Sequence, residues 1–62
     1  MKPIYVILIG SSPYWEVDQT VEGDAIMKRE KRDLIKMGCK VKVKKFASWD
    51  EAEAYEVKIR GY

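Results

Sequence analysis

Ile4-Tyr5-Val6-Ile7-Leu8-Ile9 is apolar at every position and rich in β-branched residues, with Pro3 before it and Gly10-Ser11-Ser12-Pro13 after it. A run this short between breakers is a strand, and a strand with no polar face has little water on either side. The stretch therefore predicts a central strand, and the rest of the chain is placed around it.

Beyond the Gly-Ser-Ser-Pro turn, Tyr14–Val21 alternates, with Trp15, Val17 and Val21 on one side and Glu16, Asp18 and Thr20 on the other. That is the pattern of a half-exposed strand. A connection of this length suits a hairpin, so the two strands should pair antiparallel. Gly23-Asp24 opens a charged segment that ends at Gly38. Asp24 reads as an N-cap and Gly38 as the left-handed residue that ends a helix. Ile26, Met27, Leu34 and Met37 fall in one arc, with Lys28, Arg29, Lys31, Arg32 and Lys36 around the remainder, so the helix is amphipathic with a basic outside. Cys39–Phe46 alternates again, with Cys39, Val41 and Val43 inward and Lys40, Lys42, Lys44 and Phe46 outward. Ser48-Trp49-Asp50-Glu51 is a capping box. The helix it starts should bury Trp49, Ala52, Tyr55 and Ile59 and stop near Gly61.

These elements assemble as a single α+β domain over residues 1–62, in the order ββαβα. The apolar first strand belongs in the middle, giving an antiparallel sheet of order 2-1-3 with a right-handed crossover and both helices on one face. A parallel βαβα arrangement with residues 10–20 as a loop is the rival. It would expose lysines along a strand covered on both faces, and would leave Tyr14, Trp15, Val17 and Val21 outside the core.

At 62 residues the chain is near the lower limit for a single core. Cys39 is the only cysteine and there is no histidine, which excludes an internal disulfide and a four-ligand structural zinc site. Stability must come from packing or self-association. Cys39 reads as a small core hydrophobe, and unpaired cysteine usage fits a reducing compartment. With no long apolar run and no leader-like start, the chain is expected to be a complete, soluble, cytoplasmic product away from membranes.

No residue pattern points to catalysis, a cofactor or a metal. The commonest general base is missing. Gly10-Ser11-Ser12 lacks the Gly-Lys-Ser/Thr ending of a phosphate loop, and no helix follows to receive an anion. Charge is more informative. Met1–Met27 carries net −3, Lys28–Lys45 carries net +7 and the remainder net −2.

With both helices on one face, Tyr5, Ile7 and Ile9 would form an apolar stripe on the other. Glu16 and Asp18 would flank it on one edge, and Lys40, Lys42, Lys44 and Phe46 on the other. Such a stripe marks an interaction surface. The expected function is a non-enzymatic binding module that uses this open face on a protein partner or on its own twin as a homodimer. The alternative is nucleic-acid binding, with Tyr5 and Phe46 stacking bases and the strand lysines meeting phosphates. One internal pair is also expected: Glu30 in the apolar arc of the first helix with Lys45 at the inward phase of the third strand.

Overall fold

A computed structural model describes residues 2–61. The order is β1 (Ile4–Ser11), β2 (Tyr14–Glu22), α1 (Asp24–Lys36), β3 (Val41–Phe46) and α2 (Trp49–Arg60). The sheet order is β2-β1-β3, and β1 runs antiparallel to both neighbours. The ββαβα reading and the central place of the apolar run therefore hold. Among the described residues no helix is long and apolar enough to cross a membrane.

The helices do not share a face. Ile4, Val6 and Leu8 of β1 form a cluster with Ala52 of α2, and Trp15, Val17, Phe46, Tyr55 and Ile59 pack against it. The alternate residues Tyr5 and Ile7 are buried too, with Ile7 completely inaccessible. Their cover is α1: Tyr5 donates its hydroxyl to Asp24 Oδ1, and Gln19, on the same face, donates to Glu30 Oε2 at 2.9 Å. The principal extents of 30 × 29 × 12 Å fit this arrangement. Three strands are roughly 10 Å wide and nine residues roughly 30 Å long. The remaining long axis is the stack of helix, sheet and helix.

The expected two-helix layer fails on width. Two helices side by side need an interaxial spacing of about 8–10 Å, and with their side chains they span about twice the sheet. One helix covers three strands, so each face receives one. Each side chain that β1 buries fully, such as Ile4, Val6, Ile7 or Leu8, contributes roughly 1.5–3 kcal/mol relative to exposure.

The two layers are unequal. Ala52 of α2 is fully buried, whereas no residue of α1 is buried, and Ile26 and Ile35 remain about half exposed. Met37, expected inside, is 77% exposed, and Trp49 is about half exposed. Trp49 is the first residue of α2 and lies beyond the sheet-facing stripe of Ala52, Tyr55 and Ile59.

β2 also departs from simple alternation. Ile7 pairs with Gln19 and Leu8 with Val17, so Asp18 is an extra residue in a β-bulge. The bulge reverses the phase: Thr20 joins Val17 on the α2 side, and Val21 moves to the α1 side opposite Tyr5. In β3 both phases are used. Phe46, expected outward, packs its ring 5.2 Å from that of Tyr55, while Val41 and Val43 lie opposite Ile9 and Ile7 on the α1 side.

The helix ends are specified locally. Gly23, not Asp24, is the N-cap of α1, and Asp24 is its first residue. The C-terminus is a Schellman turn: Gly38 at φ 88° donates to Ile35 O, and Cys39 donates to Leu34 O. At α2, Ser48 Oγ accepts from Glu51 N–H at 3.3 Å, and Glu51 Oε2 accepts from Ala47 N–H at 3.1 Å. The capping box is present, shifted by one residue on its return bond.

Candidate functional site

The stripe of Tyr5, Ile7 and Ile9 is not an open surface. Tyr5 and Ile7 are buried under α1, and Ile9 is half-buried. Glu16 lies beside Ile9 on that face, while Lys42, Lys44 and Phe46 lie on the α2 side with Leu8, Val6 and Ile4. Asp18 sits in the bulge. The proposed contact residues are thus divided between two faces. What they share is the sheet margin: Glu16 and Asp18 on β2, Lys40, Lys42 and Lys44 along β3.

Among the described residues both margins are bare: β2 and β3 each pair only with β1, and the 12 Å extent fits three strands with no further chain beside them. Each therefore presents backbone N–H and C=O groups on one side to solvent. The margins differ in charge. β2 carries Glu16, Asp18 and Glu22, all exposed. β3 and its approach carry Lys40, Lys42, Lys44 and Lys45, also all exposed.

The helices follow this division only in part. Glu30 of α1 leans toward β2 through Gln19. At about 100° per residue, Lys28 and Lys31 then fall on the opposite flank, toward β3. On α2, Glu56 accepts from Thr20 of β2, and Tyr55 packs on Phe46 of β3. Glu53 shares the flank of Glu56, and Lys58 falls nearer that of Tyr55. Arg29 and Lys36 fall on the flank of Glu30, Arg60 pairs with Glu56 and Glu51 falls nearer Tyr55, so the lysine-rich edge at β3 and the acidic edge at β2 are carried by the strands. The net +7 segment thus contributes Lys28, Lys31 and the four lysines near β3 to one margin, a grouping that needs the strand order and helix phases to be seen.

Little of this charge is neutralised internally. The three ion pairs among the described residues, Arg29–Glu30, Arg32–Asp33 and Arg60–Glu56, all use arginine and are all 3.8 Å long. Glu30 is held by Gln19, and Lys45 is not its partner. Among the described residues Lys42 is the one lysine with an aromatic partner, its Nζ 5.7 Å from the Trp15 ring centroid across the α2 face.

A cleft of about 560 Å³ opens between the β1–β2 hairpin and the turn leaving α1, lined in part by Tyr14, Glu16, Cys39 and Lys40. Cys39 is half-buried there, in a chain without histidine. Among the described residues no three His, Cys, Asp or Glu side chains gather as a metal site. No protein-family model, curated protein or solved structure matches the chain.

Proposed function

We propose that this chain is a non-enzymatic binding module for a protein partner, and that its contact surface is the β3 margin. The observation that carries the reading is an edge strand, Val41–Phe46, that is unpaired on its outer side and whose neighbouring lysines have no carboxylate partner among the described residues. Edge strands take up extended segments by adding a strand, with main-chain hydrogen bonds for affinity and side chains for selection. Lysines disfavour a neutral or basic segment at this edge and favour one with carboxylates at alternate positions.

The nucleic-acid alternative loses its stacking platforms. Tyr5 is beneath α1 and Phe46 is against Tyr55. Lysine–phosphate contacts would remain without those two platforms, and the exposed rings Tyr14 and Trp49 belong to β2 and α2 rather than to the β3 margin.

The test is an NMR titration at low salt with an extended Glu-rich peptide. Amide shifts confined to residues 40–46 and the adjoining flank of α1 are expected. Shifts spread evenly over the chain, or none, would remove the β3 margin as the contact surface.

A further inference from the structure

We infer that the partner fitting the β3 margin is the β2 margin of a second copy of this chain, in head-to-tail contact. The inference rests on the β3 margin being a binding surface and adds the identity of what binds there.

The two margins are complementary in sign and in length. Glu16, Asp18 and Glu22 span roughly 20 Å of strand, and Lys40 to Lys45 span roughly 17 Å at about 3.3 Å per residue. β2 and β3 are each antiparallel to β1 and hence parallel to one another. A copy displaced sideways without rotation therefore sets its β2 beside β3 in the same direction. Because each face carries one helix, no layer overhangs the sheet enough to block that approach. The helices of the two copies then lie in register within their own layers.

Two-fold pairing of like edges is opposed by the same charges. A β3–β3 contact would set lysine against lysine, and a β2–β2 contact carboxylate against carboxylate. The favourable contact is heterologous, so it leaves one acidic and one basic margin free at the ends of every assembly. The bulge at Asp18 interrupts the ladder on β2, so this strand, unlike an extended peptide, does not pair along the whole of β3. Side-chain charge carries the contact, which makes it reversible and sensitive to salt.

Light scattering over a dilution series tests this with three proteins. One is the wild type, one carries Lys40→Glu, Lys44→Glu and Lys45→Glu, and one carries Glu16→Lys, Asp18→Lys and Glu22→Lys. Circular dichroism first establishes that each is folded; single Lys44→Glu and Glu22→Lys variants replace any triple variant that is not.

The wild type should exceed about twice the monomer mass at about 0.01 M salt, where the screening length is about 30 Å, with no plateau at two chains. It should return to monomer near about 1 M, where that length is about 3 Å. Each charge-reversed protein should be monomeric alone, and the two should associate when mixed. A wild type monomeric at low salt, a plateau at the dimer, or no association on mixing would overturn the inference. So would binding of a single-stranded RNA homopolymer without self-association, which would give the basic margin a different polyanion. Peptide binding at β3 without self-association overturns head-to-tail contact alone; loss of both overturns the binding surface as well.

Discussion

Gln19 and Thr20 are neighbours in β2 and bond to helices on opposite sides of the sheet. Gln19 Nε2 donates to Glu30 Oε2 of α1, and Thr20 Oγ1 donates to Glu56 Oε1 of α2. Successive residues of a strand point to opposite faces, so this pair fixes the three-layer order with two contacts. It also fixes the rotation of both helices, and with it which charges reach each margin.

The Gln19–Glu30 bond should be measurable as a coupling. In a double-mutant cycle of Gln19→Ala and Glu30→Ala by urea denaturation, about 0.5–1.5 kcal/mol of interaction is expected, the range of a net hydrogen bond. The Glu30–Lys45 cycle should show no more than a few tenths. Equal couplings in the two cycles would mean that α1 is rotated from the position described.

Ile7 separates a covered face from an open one. Its side chain is fully inaccessible, so Ile7→Ala should cost about 2–5 kcal/mol. At about 0.05–0.15 kcal/mol per residue, a chain of this length has only about 3–9 kcal/mol in total. Ile7→Lys should therefore leave no folded monomer by circular dichroism. A folded, monomeric Ile7→Lys variant would place α1 off this face.

Much of this was legible in residues 4–9. An unbroken apolar run states that both faces are covered, and that statement outranks any count of helices. Two helices do not fit side by side on one face of three strands, as their widths show. The bulge was not legible, because Asp18 looks like any outward residue and only the pairing of Leu8 with Val17 reveals the added one. Phe46 departs from the alternation expected of β3 because a strand between two helices has two insides, one of them against Tyr55. The charged margins were half legible. The acidic and basic blocks are plain in the sequence, but their position on opposite edges follows from the strand order.

Gly10 and Gly38 both have positive φ, and the surroundings separate them. At Gly38, φ is 88° and a Cβ would meet nothing within 4 Å. Gly38→Ala should cost only the left-handed backbone term, about 1–2 kcal/mol. At Gly10, φ is 128° and a Cβ would lie 2.5 Å from the backbone oxygen of Tyr14. Backbone cannot rotate away as a side chain can, so Gly10→Ala must also distort the hairpin. Its loss in urea midpoint should exceed that of Gly38→Ala, and a reversed order would show that the hairpin relaxes freely.

The bond from the Tyr5 hydroxyl to Asp24 gives the fold a dependence on alkaline pH. The hydrogen bond to the Asp24 carboxylate raises the Tyr5 pKa above its ordinary value of 10.0, with burial and the carboxylate charge acting in the same direction. The folded chain holds the phenol proton more firmly than the unfolded chain does. The associated stability is therefore complete below the unfolded pKa and is lost as pH rises through the folded one. Thermal midpoints of wild type and Tyr5→Phe, compared between about pH 8 and 11, span the ordinary tyrosine titration. Lysine deprotonation is common to both proteins and drops out of the difference. The wild-type advantage should be constant at the lower end and shrink above about pH 10. In Asp24→Asn, the Tyr5 titration followed by phenolate absorbance should return toward its ordinary value. A wild-type advantage that stays constant across the range would mean that this bond does not hold the start of α1 to the sheet.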